Sequence, residues 1–404
     1  MTSEWNHFAL GEITELVIDY RGKTPKKLGG DWCKQGYRAL SAKNIKTGRI
    51  VQAETIRYID ESLYRKWMKD EVQRGDILIT SEAPFGQIFF WDSDEKIVLS
   101  QRLFCVRIKP EYDARFIYYY MTTPEFQSEL DGRATGTTVI GLRQPELMKC
   151  VIRCPEIQEQ KVIAAILSSI DAKIIANEKV NDNLQQQAAA IFRSWFVDCA
   201  PFGGKTPDEW ENVTLEDITA LVSRGITPKY ADDTDQIVIN QKCIRNHMID
   251  LSLARTHTPK VINEKWLRFG DLLVNSTGDG TLGRAAQVWF QPKNLTVDSH
   301  VTIARPAKEN LIFYIGLWGI LHEKEIESLH IGSTGQTELP RDRVKAMELL
   351  LPDNDTLDRF NALITPMATA IVANQEENNR LAALRDAILP KLMSGKIDVS
   401  AIQP

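Results

Sequence analysis

With 404 residues, 43% of them hydrophobic, the chain is long enough for two or three domains, each with its own core. Its 54 acidic side chains outnumber 49 basic ones, which argues against a nucleic-acid-binding surface spread over the whole molecule. There is no apolar run of the roughly 18 residues a membrane span needs and no basic-then-apolar leader. The six scattered cysteines build no disulfide scaffold, so a protein of the reducing cytoplasm is expected.

The first predicted element is a globular block over residues 1–155, mixed in strand and short helix. It opens on EWNHFALGEITELV, residues 4–17. Between residues 20 and 50, nine Lys or Arg stand against Asp31 alone, a local excess able to neutralise phosphates. Ile77–Thr80, entered from Gly75-Asp76, and Phe104–Ile108, ending before Pro110, read as short apolar strands bounded by turn residues. Polar, glycine-containing loops follow at Ser81–Gln87 and at Thr135-Gly136-Thr137-Thr138. Cys150 and Cys154 read as buried thiols on a strand near Pro155, because no histidines stand at zinc-ligand spacing.

Residues 156–198 lack Pro and Gly and place apolar side chains at 3-4 spacing: Ile163, Leu167, Ile170, Ile174, then Leu184, Ala188, Ile191 and Trp195. This is the seam of a coiled coil, interrupted by Asn177 and Asn181. Such a helix is about 65 Å long at 1.5 Å per residue, long enough to space two globular blocks. Residues 199–208, beginning CAPFGGKTP, read as a linker.

The order then repeats. Glu209-Trp210 opens EWENVTLEDITALV, identical to the first opening at seven of fourteen positions. Arg21-Gly22 is answered by Arg224-Gly225, Gly75-Asp76 by Gly270-Asp271, Thr135-Gly136 by Thr334-Gly335 and Pro155 by Pro352. The offset drifts from 205 to 197, as expected of indels in surface loops. A repeat of half the chain means a duplicated two-part unit rather than a solenoid. The second block spans 209–352, with loops such as NSTGDGTLGR (275–284) and Ser333–Gln336 that differ in content from their counterparts. The second helix spans 353–396, with a tail at 397–404. Its seam runs Phe360, Ile364, Met367, Ile371, Leu381, Ile388, Leu392, and Asn374 and Asn378 interrupt it at the places matching Asn177 and Asn181. Pro366 is expected to bend or break it, and Pro390 to sit near its end.

The expected fold is therefore α+β: two mixed, β-rich blocks related by pseudo-twofold symmetry and joined by two long helices that pair as an antiparallel coiled coil. In that pairing Asn177 and Asn181 face Asn374 and Asn378, and the amides set register at some cost in stability. The apolar helix ends (Ile191, Phe192, Trp195, Phe196; Ile388, Leu389, Leu392) are expected to seek a partner.

No catalytic constellation is found. Gly203-Gly204-Lys205-Thr206 looks like the tail of a P-loop, but Cys199 stands where the first glycine belongs. Asp279 lacks a partner carboxylate, and the six histidines are scattered.

The duplication, the run from Thr135-Gly136 to PEIQEQ (155–160) and the helix ending ILPKLMSGKI (388–397) closely resemble the specificity subunits of type I restriction-modification systems. The resemblance covers nearly the whole chain; Asp353-Asn354-Asp355-Thr356 departs from it where the first copy has PEIQEQ. It implies that each block is a target recognition domain reading one half of a split sequence in double-stranded DNA. The helices then hold the spacing and dock two methyltransferase subunits, and motor-nuclease subunits join for restriction. It also implies that this chain performs no chemistry and holds no cofactor, while S-adenosylmethionine, ATP and Mg²⁺ bind the partner subunits. Arg suits guanine and Asn suits adenine in the major groove, and Lys and Arg suit phosphate. The candidate DNA contacts are accordingly Arg21, Lys23, Lys43, Asn44, Arg49 and Arg102 in block one. In block two they are Arg224, Asn240, Lys242, Arg245, Asn246 and Asn275. The acidic total also leaves open a two-headed protein-binding adaptor without nucleic acid.

Overall fold

The computed structural model describes residues 5–136, 140–232, 234–278, 280–332, 337–399 and 402. Thr137-Thr138, Asp279 and Ser333–Gln336, singled out above, fall outside them. The chain divides into two compact units: Met1–Ile174 with Asn379–Pro404, and Ile175–Asn378. Both boundaries fall inside long helices, Ile157–Phe192 and Asn354–Met393. Each unit thus owns one block, the start of the helix that follows it and the end of the other helix.

In the first unit a four-stranded antiparallel sheet runs in the order Thr14–Asp19, Leu103–Ile108, Ile77–Thr80, Ile88–Phe90. It separates two cores, which is why its central strands, Ile77–Thr80 and Leu103–Ile108, are largely apolar instead of alternating. Ile77, Ile79, Phe104 and Val106 face a helical core that includes Phe116, Ile163 and Leu167. Leu78, Leu103 and Cys105 face the other way, toward a core with Leu40, Trp67 and Leu99. A three-stranded sheet (Arg57–Ile59, Tyr37–Leu40, Val98–Leu99) closes that second core. Asn6–Ala9 pairs antiparallel with Val151–Cys154. Cys150 and Cys154 are buried there, and burial pushes both thiols up to about 12.

The second unit repeats each of these sheets. Its four strands run Thr219–Arg224, Val301–Pro306, Leu272–Asn275, Ala285–Gln287. Its three-stranded sheet is Arg255–Thr256, Ile237–Ile239, Leu295–Val297. Glu211–Thr214 pairs with Glu348–Leu351.

The two Gly-Asp turns have a purpose the sequence alone does not disclose. Gly75 and Gly270 take positive φ, and the following aspartate caps its own turn. Each aspartate then meets an arginine from the neighbouring strand in a two-pronged ion pair, Asp76 with Arg107 at 2.9 Å and Asp271 with Arg305 at 2.8 Å. Both arginines also donate to backbone carbonyls, so these buried charges are hydrogen-bonded as well as paired.

The helix ends do not await a partner. Phe192 is buried against Tyr314 and Phe360, and Ile191, Trp195 and Phe196 pack on the same core. Leu392 is buried in the helical core of the first unit, with Ile388 and Leu389 against it. The repeated Glu-Trp explains its recurrence here: Trp5 packs on Phe116, and Trp210 on Phe196 and Phe202. Phe202 belongs to a short 3₁₀ turn, so the linker is packed and not loose. Pro366 does not break the second helix, which runs without interruption from Asn354 to Met393. One carbonyl loses its donor, and the burial of Ile364, Ala368 and Ile371 on either side holds the helix in place.

Candidate nucleic-acid interface

Each block carries the same small projecting element: a 3₁₀ turn leading into a tight hairpin. In block one the turn is Ala42–Asn44 and the hairpin pairs Ile45–Lys46 with Arg49–Ile50. In block two the turn is Gln241–Cys243 and the hairpin pairs Ile244–Arg245 with Met248–Ile249. Burial of Ile45 and Ile244 roots the elements, and alternation along a two-residue strand turns the next side chain outward. Lys43, Lys46 and Arg49 are exposed on the first element, Lys242 and Arg245 on the second. Among the described residues none of these five cations has a carboxylate partner, which sets them apart from most arginines of the chain. Asn246 is exposed at positive φ in the second hairpin turn, a conformation asparagine tolerates.

Other sequence candidates are used by the fold. Asn44 is buried: its Oδ1 accepts from Ser41, and its Nδ2 donates to the Gln52 carbonyl and to Thr55 Oγ1 at 3.0 Å. No donor is left over for a base. Asn275 is fully buried on a central strand and donates to the carbonyls of Gln241 and Thr281. Asn240 caps the 3₁₀ turn, accepting from Lys242 N and donating to the Leu253 carbonyl. The asparagines chosen for adenine therefore shape the turn instead of extending from it.

The paired arginines are clamps. Arg21 lies over the Phe104 ring at 4.0 Å, binds Asp19 and reaches the Leu142 carbonyl. Arg224 holds the equivalent carbonyl, Leu339, at 2.7 Å, and pairs with Glu338. Each fastens the end of its strand, Arg224 on the strand and Arg21 in the turn after it, to the loop beyond the Thr-Gly site. Lys23 donates to the Trp67 carbonyl at 2.7 Å over the Tyr20 ring; burial and neighbouring Lys69 depress its pKa. Arg102, at positive φ, pairs with Glu82 at 2.9 Å and stays half exposed.

Within the second unit the two helices run antiparallel. Asn177 Nδ2 donates to Asn378 Oδ1 at 2.8 Å and to Glu377 at 2.7 Å, and Asn374 Nδ2 donates to Asn181 Oδ1 at 2.8 Å. Asn177 and Asn181 are buried. Glu377 is a partner that seam periodicity does not reveal, since it lies off the a/d positions.

A family model for the type I restriction modification DNA specificity domain matches residues 2–186. The chain is 26% identical over 356 residues to the type I restriction enzyme MjaIX specificity subunit of Methanocaldococcus jannaschii, across 81% of this chain and 79% of that one. It is 22% identical over 412 residues to the HindI specificity subunit of Haemophilus influenzae, across 81% and 88%. The crystal structure of the type I restriction-modification system S subunit from M. genitalium shares the fold, with a TM-score of 0.57 at 15% identity over 96% of each chain.

Proposed function

We propose that this chain is a specificity subunit of a type I restriction-modification system and that its two blocks divide the work of recognition. Each block reads one half of a bipartite DNA site through its 3₁₀ turn and hairpin. Lys43, Lys46 and Arg49 grip one half, and Lys242 and Arg245 the other, with Asn246 at the tip of the second reader. The observation that carries this is the twofold recurrence of one projecting element, rooted alike and decorated differently. Like scaffolds with unlike tips suit two unlike half-sites.

The clamps Arg21 and Arg224 and the turn-shaping Asn44, Asn240 and Asn275 support the readers from behind. The long helices fix the gap between the half-sites and dock two methyltransferase subunits, with motor-nuclease subunits completing the restriction complex. In this reading the chain is non-catalytic and works in the cytoplasm, and S-adenosylmethionine, ATP and Mg²⁺ serve those partners. The negative total charge fits weak DNA binding by this subunit alone, with the methyltransferase subunits supplying the remaining grip.

The test is co-expression with the methyltransferase encoded beside it, followed by mapping of methylated bases in host DNA. The expected result is a split motif with a constant gap. A complex that forms and methylates without a split motif overturns the division of labour. Absence of any complex would favour a protein-binding adaptor.

A further inference from the structure

The two reading hairpins are fastened to their blocks by different chemistry. In block one the hairpin turn is held by neutral hydrogen bonds. Thr47 N and Oγ1 both donate to Gln87 Oε1, at 3.0 and 3.2 Å, Thr47 Oγ1 accepts from Ile88 N, and Gly48 N donates to the Ile88 carbonyl at 3.1 Å. In block two the position of Thr47 and Gly48 is taken by Asn246 and His247. His247 Nδ1 lies 3.2 Å from Glu323 Oε1, at the start of the helix Glu323–Ser328. The same Glu323 oxygen accepts from Ala285 N at 2.6 Å, which anchors the carboxylate to the edge strand of the main sheet. Glu323 therefore ties the hairpin to the scaffold through one imidazole.

Packing holds this hairpin at its root, through buried Ile244 and part-buried Ile249, and less toward its turn. Its inner side chains, Met248 and Ile249, are only partly buried and line a cavity of about 570 Å³ together with Phe290, Leu317 and Leu321. A hairpin backed by open space has room to tilt, and the His247–Glu323 contact opposes the tilt.

We infer that the His247–Glu323 pair is a latch that sets the aim of the second reader, making His247 a positioning residue for one half of the DNA site. The inference rests on the reading of these hairpins as DNA readers. The Glu323 hydrogen bond raises the imidazole pKa against the opposing effect of burial. The other charged groups around the cavity are Asp182 of the first long helix, Arg193 just past its end and Lys324 beside Glu323, with Arg245 on the hairpin itself. For a pKa raised in the folded state the latch is fully formed below the ordinary imidazole value of about 6.5. It is lost as pH rises through the higher folded value. The first reader has no titrating group in its fastening.

The experiment uses the assembled complex with its methyltransferase. The half-site belonging to block two is the one whose recognition K242A/R245A weakens. Discrimination at each half is the ratio of affinities for duplexes with that half intact or scrambled, measured by fluorescence anisotropy from pH 6 to pH 9. In the wild type, discrimination at the block-two half should fall as pH rises, on the order of threefold to tenfold for a half-exposed charged hydrogen bond. The block-one half should not follow. His247→Asn, which suits the positive φ of this position, and Glu323→Gln, which keeps the shape, should each give low, pH-independent discrimination at that half only. A melting temperature close to wild type in either variant separates lost aim from lost fold. Unchanged discrimination, or equal loss at both halves, overturns the latch. A wild-type complex that discriminates at neither half overturns the DNA reading itself.

Discussion

Set side by side, the two units agree on what is buried and differ on what projects. The Asp-Arg pair behind the main sheet, the arginine clamp on the loop carbonyl and the opening tryptophan packed on phenylalanine occur in both. On the readers Lys43 and Lys46 are answered by Lys242 and Arg245, while Arg49 is answered by Met248 and the hairpin turns and their fastenings differ. Among the described residues, block one presents three cations without a carboxylate partner, on a turn and hairpin held by Thr47 and Gln87. Block two presents two, on a hairpin held by an ionisable pair. In the proposed reading, a duplicated protein with two half-sites keeps its framework and changes its tips. Arg21 and Arg224 recur as clamps within the fold, so in that reading they support the readers instead of acting as readers themselves.

The comparison is broken most strongly at the buried ion pairs. Removing one partner of such a pair strands the other charge and costs about 3–5 kcal/mol. Asp271→Asn should therefore unfold the second unit well below the wild-type temperature, as followed by calorimetry. Asp76→Asn should cost less, because the Arg107 side chain is 18% exposed against 7% for Arg305, and water can partly solvate the orphan. Equal losses would mean that the two scaffolds bear the charge alike and that exposure does not decide.

At the reading tips the measurement is salt dependence. Each cation withdrawn from a phosphate reduces the slope of log affinity against log salt by about 0.9. Lys43, Lys46 and Arg49 replaced together by Ala should flatten the slope of the assembled complex by about three, and Lys242 with Arg245 by about two. A slope left intact by the triple replacement would remove the first hairpin from the interface.

The helix asparagines sharpen the comparison within one unit. Judged by the seam alone, Leu at Asn177 and Asn181 should stabilise the helix pair. The structure reverses the sign, since Asn378, Glu377 and Asn374 would each be deprived of an amide that they bond, at roughly 1–3 kcal/mol in all for these half-buried groups. Leu at all four asparagines should recover that stability while loosening register. A double replacement that melts no lower than wild type would show that water satisfies the abandoned groups.

Most of the architecture is legible in the sequence because it rests on patterns that occur twice. The repeat locates both blocks, the 3-4 spacing locates both helices, and the Gly-Asp turns locate central strands. Side-chain destinations are much less legible. Asn44, Asn240 and Asn275 have the chemistry of base readers, but an amide satisfies a turn equally well, and composition cannot tell the two apart. Arg107, Arg305, His247 and Glu323 leave no signal, since each acts on a residue dozens of positions away. The 3₁₀-hairpin elements, carrying Lys43 and Arg49 or Lys242 and Arg245, are marked by local charge. Among the described residues these cations have no carboxylate partner, which only the folded chain reveals. Pro366 misleads because propensity predicts a break where packing on either side overrides it.

The smallest difference lies at the helix starts. The first is tied by a neutral side chain: buried Gln160 accepts from Asp113 N at 2.9 Å and donates to the Pro155 carbonyl at 2.8 Å. The second is tied by a carboxylate: Asp353 accepts from Thr356 N and Oγ1 at 2.9 and 2.7 Å and from Trp210 Nε1 at 3.2 Å. Burial opposes the charged form of Asp353, and the hydrogen bonds from Thr356 and Trp210 outweigh it, so its pKa lies below the usual carboxylate value. A depressed folded pKa contributes stability above the unfolded value of about 3.9 and loses it as pH falls through the folded value. Asp353→Ala should cost about 1 kcal/mol at neutral pH, as a lost cap does, and the deficit should shrink in acid. Gln160→Ala should cost the same at pH 3 as at pH 7. If acid narrows the gap between Gln160→Ala and wild type as well, the two helix starts share a titrating contact and the distinction drawn here between them fails.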